Sequence, residues 1–186
     1  SAIAGGTTSF MDMPNVLPPT LNLDLWREKI SIAEQNASAN FSFYMGTSNT
    51  NIDEIKAIDP KEVCGIKIFM GASTGNLLVD NEDSLNNLFK ESPVIITTHC
   101  EDTPMIKDME EKYLAKYGSK IPVNMHADIR SRECCLKSSK TAVELAEKYQ
   151  SNLHILHIST EEEISLFSNK PINEKLITAE VCVPHL

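Results

Sequence analysis

Short apolar or β-branched runs alternate with helix-like runs along the whole chain. Six runs read as strands: residues 7–13 (TTSFMDM), 41–45 (FSFYM), 64–70 (CGIKIFM), 94–99 (VIITTH), 153–158 (LHILHI) and 176–183 (LITAEVCV). Between them the spacing predicts helices over 20–36, 51–58, 81–90, 103–117, 128–149 and 160–168. The fifth carries the fullest signature, since Ala142, Val143, Leu145, Ala146 and Tyr149 make an apolar stripe among Glu144, Glu147 and Lys148. Repeated strand–helix units of this kind predict an α/β fold with a parallel sheet. Polar residues gather where the strands end: Asp12 and Asn15, Thr47 and Ser48, Ser73 and Thr74, His99 with Glu101 and Asp102, His157 with Ser159 and Thr160. Parallel α/β proteins build their sites on that edge. Neither G-x-G-x-x-G nor a Walker pattern occurs, so a barrel is expected rather than an open doubly wound sheet.

Composition narrows the partners. The 186 residues are 41% hydrophobic and carry no low-complexity tract, which suits a single folded domain over residues 1–186. With 26 acidic against 17 basic residues the net charge is -9, which argues against nucleic acid or an anionic membrane as the main partner. A small-molecule substrate is expected, and assembly into a homo-oligomer stays open. No apolar run approaches the roughly 20 residues of a membrane span, and no basic-then-apolar signal pattern opens the chain, so a cytoplasmic protein is expected. Five cysteines without a C-x-x-C pair suit reduced thiols. Cys134 and Cys135, adjacent on an expected helix, are poor candidates for bridging each other. The chain enters almost at once on an apolar segment and stops on a strand-like one, so an excerpt of a longer polypeptide is expected.

Three residues carry candidate chemistry. Period-two alternation over 64–70 puts Gly65, Lys67 and Phe69 on one face and Ile66, Ile68 and Met70 on the other, which aims an ammonium to one side of a buried strand. Leaving a charge unpaired in apolar surroundings costs several kcal/mol, so Lys67 must be paired, neutralised or modified. His99 closes its strand in phase with Ile95 and Thr97 and points inward at the carboxyl rim, where it reads as a ligand or as a hydrogen-bonded core histidine. In LHILHIS the two histidines stand three apart, so alternation lets one of them line the interior. His157, nearer the strand end, is the better candidate, and His154 is expected to pack toward the helices. A neutral lysine amine can take up carbon dioxide to give an anionic carbamate able to bridge two metal ions, and burial favours this by lowering the amine pKa. Imidazoles with such oxygens suit zinc.

The blocks AGGTTSFMDMPNVLPPT, GIKIFMGASTGNLLVD, THCED, HADIRSRE, LHILHISTEEE and AEVCVPHL resemble, in order, those of the metal-dependent amidohydrolases, and within them the dihydroorotases of the cyclic amidohydrolase branch. The resemblance spans the chain. It implies a TIM-type (β/α)8 barrel, of which residues 1–186 supply strands 2–7 with their helices. It also implies a zinc-dependent hydrolase interconverting dihydroorotate and N-carbamoyl-aspartate in pyrimidine biosynthesis. Lys67 would be the carboxylated lysine bridging two zinc ions, and His99 and His157 ligands of one of them. Asn15 would hold the substrate carboxylate. Arg130 and Glu133 match the branch's I-R-S-x-E segment, where a helix-start ion pair is the competing reading. His185 matches the last histidine of its P-H-H-L ending, although Val183 and Pro184 replace the preceding proline and histidine. The branch's H-x-H-x-R block and catalytic aspartate are not in this sequence, so the 186 residues alone are expected to be inactive. Hydantoinases (dihydropyrimidinases) and allantoinases share the scheme and are the alternatives. A non-catalytic scaffold built on the same barrel is the alternative of another class.

Overall fold

The structure is a computed structural model, and it describes residues 2–71, 73 and 75–185. Its strands are β1 (Ser9–Asp12), β2 (Asn40–Phe43), β3 (Met45–Gly46), β4 (Ile66–Phe69), β5 (Ile96–His99), β6 (Leu153–Ile155) and β7 (Ile177–Ala179). The helices are α1 (Leu23–Asn36), α2 (Ile52–Lys56), α3 (Glu82–Glu91), α4 (Thr103–Tyr117), α5 (His126–Ile129), α6 (Arg132–Tyr149) and α7 (Glu161–Ile164). Every strand pairing among them is parallel, and the neighbours run in chain order: β1 with β2, then β3-β4-β5-β6-β7.

The expected strand over 41–45 is shared between β2 and β3. Tyr44 N–H donates to Asp12 O at 3.0 Å toward β1, whereas Met45 N–H donates to Gly65 O at 3.0 Å toward β4. Successive amides of an extended chain point to opposite edges. Residues 40–46 therefore join the two sheets into one arc that advances strand by strand without reversing. An open doubly wound sheet reverses its order at a switch point, and this one does not. The architecture is α/β, a partial barrel wall with helices on one side.

Those helices cover the face made by Ile66 and Ile68 of β4, Ile96 of β5 and Leu153 and Ile155 of β6, all fully buried in one cluster with Leu88, Phe89, Ala142 and Ala146. The apolar stripe expected on α6 is present: Ala142, Val143 and Ala146 are buried, and Leu145 and Tyr149 pack against the same cluster. The predicted helix over 128–149 breaks at Arg130, because Ser131 is extended and its side chain accepts the Cys134 amide as an N-cap. Asn22, Asn81 and Asp102 cap α1, α3 and α4 in the same way. The last two strands are shorter than the apolar runs suggested, and Val183–His185 forms a 3-10 turn instead. Among the described residues no helix is long and apolar enough to cross a membrane.

Candidate functional site

Lys67 lies on β4, in register with Gly46 on one side and Thr97 on the other, and is 2% exposed. Its strand is pinned by Thr47 N–H and Oγ1 donating to Lys67 O at 3.2 and 3.0 Å, and by Thr97 Oγ1 donating to Ile66 O at 2.8 Å. Nζ is buried with no hydrogen-bond partner among the described residues and stands 4.5 Å from the centroid of the Phe69 ring. Burial lowers its pKa from 10.5 to about 7, against a smaller upward pull from the Cys100 thiol and the Glu180 carboxylate. A substantial share of this amine is therefore neutral near neutral pH.

His99 ends β5, in register with Phe69. Its Nδ1 lies 3.1 Å from His157 Nε2, and its Nε2 lies 2.7 Å from Glu101 Oε2. Because a carboxylate only accepts, Nε2 carries the proton and Nδ1 presents its lone pair toward His157. Arg130 Nη1 donates to the same Glu101 Oε2 at 2.5 Å, which fixes the carboxylate from behind. The Glu101 carboxyl stays below its ordinary range, since the bonds and charges of His99 and Arg130 outweigh its desolvation. Gly71, at the turn after β4, allows this close approach: a Cβ there would lie 2.2 Å from Glu101 O. The neighbouring Ala72 and Thr74 of the expected rim loop lie outside the described residues.

His157 follows β6 and adopts a left-handed φ of 40°. Burial first, then the positive charges of His99 and Lys67, lower its pKa and keep it neutral. The field of Lys67 thus reaches His157. Two nitrogens 3.1 Å apart are close to the roughly 3.3 Å spacing of two donors on one tetrahedral zinc ion. An orphaned buried amine whose charge is felt at His157, with the His99 ring nitrogen 3.1 Å from His157 Nε2, fits a lysine-bridged metal site.

The expectation for His154 is corrected. It stands in register with Thr97 and Thr178, on the Lys67 face, with Nδ1 2.8 Å from Thr178 Oγ1 and Nε2 3.3 Å from Glu180 Oε2. Leu153 and Ile155 take the helix side of β6 instead. Both histidines of LHILHIS face inward because the left-handed turn at His157 interrupts the alternation. Asn15 is exposed in the segment between β1 and α1, while Pro14 beside it is buried close to Gly46. Among the described residues Asn15 makes no hydrogen bond to the histidines, though it follows β1 at the carboxyl edge of the sheet. Glu133 and His185 are both exposed, and His185 Nδ1 accepts the Cys182 amide at 3.4 Å.

Glu101 and Glu180 were not among the residues to which the sequence pattern gave a role. Glu101 sits two residues past His99 in THCED, close enough to reach back to its ring. Glu180 follows β7 and its charge is felt at Lys67, Tyr44 and His157, so it faces the same interior. Ser9, Phe10, Asn40, Phe41, Tyr44 and Glu180 help line a cleft of about 480 Å³ on this side of the wall.

No family model matches the chain. Among curated proteins it is 30% identical over 190 residues to a dihydroorotase of Methanosphaera stadtmanae, covering 100% of this chain and 41% of that protein. It is 29% identical over 195 residues to a dihydroorotase of Methanosarcina acetivorans, and 27% identical over 187 residues to an allantoinase of Bacillus velezensis. The chain's relatives are cyclic amidohydrolases. It spans 41% and 40% of the lengths of those last two proteins. Among solved amidohydrolase structures, an L-hydantoinase (dihydropyrimidinase) from Arthrobacter aurescens superposes with a TM-score of 0.86 at 24% identity, over 97% of this chain and 40% of that one. A D-hydantoinase from Thermus sp. gives 0.80 at 21% identity. These superpositions place the arc of strands within the barrel fold of such amidohydrolases.

Proposed function

We propose that residues 1–186 form a partial barrel domain carrying half of the metal site of a cyclic amide hydrolase, with dihydroorotate as the substrate. The observation that carries the reading is Lys67: a buried amine without a hydrogen-bond partner among the described residues, whose charge is felt at His157, itself 3.1 Å from the His99 ring. Its neutral fraction can attack carbon dioxide, forming an Nζ–C bond and releasing a proton, which replaces a costly cation with a two-oxygen anion. That anion, with His99 and His157, would hold zinc. Zinc, when bound, supplies Lewis acidity toward an amide carbonyl and toward water. Glu101 and Arg130 act earlier, by holding the proton on His99 Nε2 so that Nδ1 is free to ligate. Asn15, on the rim, would hold the substrate carboxylate.

Dihydroorotate is favoured by the dihydroorotase-like blocks and by the relatives that bear that name. A hydantoin substrate is the second reading, supported by the structural likeness to the Arthrobacter aurescens L-hydantoinase. The two histidines and the aspartate of the resemblance are not among these residues, nor is its substrate arginine. Turnover is therefore expected only in a polypeptide that supplies them, and not from the 186 residues alone. The test is to assay dihydroorotate, hydantoin and allantoin with both forms, in zinc and bicarbonate, and to measure bound zinc in each. Lys67→Ala should abolish turnover and lower the zinc content. Near-wild-type activity of that variant, or preferred turnover of hydantoin or allantoin, refutes the metal site or the substrate respectively.

A further inference from the structure

Beside Glu101 a second set of donor atoms converges. The first turn of α6 carries Cys134 and Cys135, and Cys134 is 1% exposed. The Cys134 sulfur accepts the amide of Asp102 at 3.3 Å, which pins it against the turn leading from β5 into α4. Asp102 is itself the N-cap of α4, so neither side of this contact is free to drift. One ligand atom from each of Glu101, Cys134 and Cys135 falls within 4.8 Å of the others. The two neighbouring thiols act on each other, so that Cys134 is held below its ordinary pKa and Cys135 is pushed above it.

A structural role does not account for this arrangement. A free thiol buried for packing behaves as a small apolar side chain. Cys134 is instead set beside a carboxylate, a second thiol and a backbone amide. Adjacent helical cysteines are poorly placed to form a disulfide, so redox pairing does not explain them either. Two sulfurs on a tetrahedral ion with bonds of about 2.3 Å stand roughly 3.8 Å apart, so the donors need to close by about 1 Å or less. Thiolate donors select soft or borderline cations over magnesium or calcium.

We propose that Glu101, Cys134 and Cys135 form a binding site for a thiophilic divalent cation, distinct in its sulfur donors from the Lys67, His99 and His157 cluster and adjoining it through Glu101. On binding, two S–H bonds break, two metal–sulfur bonds form and two protons pass to solvent, with no change of oxidation state. A Glu101 oxygen is the third protein donor. The site does not depend on the proposed hydrolase reading.

Cadmium is the probe. The reduced, metal-stripped chain is titrated with cadmium while the sulfur-to-cadmium charge-transfer absorbance is followed. One equivalent should develop the band. Cys134→Ser and Cys135→Ser should each abolish it, with serine at 134 still able to accept the Asp102 amide and circular dichroism verifying the fold. Glu101→Gln should keep the band but weaken binding by about tenfold or more. His99→Ala should leave the band intact, which separates this site from the imidazole pair. Absence of the band, its survival in both cysteine variants, or its loss in Cys64→Ser or Cys182→Ser overturns the proposal.

Discussion

Replacing Lys67 by Met converts the buried amine into an apolar group of similar length, and its effect on stability can be worked from the structure. The folded chain lowers the Lys67 pKa from 10.5 to about 7, with burial as the leading cause. Between these values the unfolded chain binds more protons than the folded one, so stability rises with pH through that window. Below about pH 7 both states are charged, and the whole penalty, about 5 kcal/mol, weighs on the folded state. Lys67→Met escapes it. The variant should be the more stable protein at pH 7, and the gap should narrow by about 2–3 kcal/mol on going to about pH 9. Urea unfolding of both proteins at the two pH values measures this, in buffer freed of carbon dioxide and with a chelator present. With a slope of about 2 kcal/mol per molar, the midpoints should converge by about 1 M. His157 and the other titrating groups contribute to both proteins and largely cancel in the difference. Midpoints that move in parallel with pH would refute the claim that Lys67 is a buried ammonium without a hydrogen-bond partner among the described residues.

Two further variants probe the support of His99. Glu101→Gln removes the charge that holds the proton on His99 Nε2 and should weaken zinc binding by about 10–100-fold, read by competition with a chromophoric chelator. Gly71→Ala sets a Cβ 2.2 Å from the Glu101 carbonyl oxygen, a clash with backbone that no rotamer relieves, and should cost about 2–4 kcal/mol in thermal or urea unfolding.

The order of strands and helices was legible because each element buries one face. Ile66, Ile68, Ile96, Leu153 and Ile155 mark the strands by alternation or by a short apolar run, and the α6 stripe marks its helix by a period of 3.6. Ends were less legible for an equally physical reason. The run 176–183 is apolar enough for a strand, yet regular pairing with β6 covers Ile177–Ala179. The break at Arg130 rests on Ser131, a capping residue that the surrounding helix formers masked. The joint at Tyr44 could not be read from the pattern, since it depends on which neighbour each edge of the strand meets.

The site was legible where it follows strand phase and hidden where it does not. Lys67 and His99 occupy positions that alternation assigns to the inner face, and both are there. His154 and His157, three apart, cannot share a face in a regular strand, and the reading that only one turns inward followed from that rule. In the structure β6 ends at Ile155 and His157 takes a φ of 40°, a conformation in which a residue with a Cβ is uncommon. The departure re-aims the imidazole to within 3.1 Å of His99 without moving His154 from its row beside Thr97 and Thr178. A backbone held in such a conformation needs surrounding contacts to keep it there. Here Leu156 N–H and Ile158 N–H, on either side of His157, donate to Thr98 O at 3.1 Å and Glu180 O at 2.8 Å. The left-handed conformation at His157 is thus held from both sides by hydrogen bonds to the two neighbouring chain segments, which sets the ring beside His99.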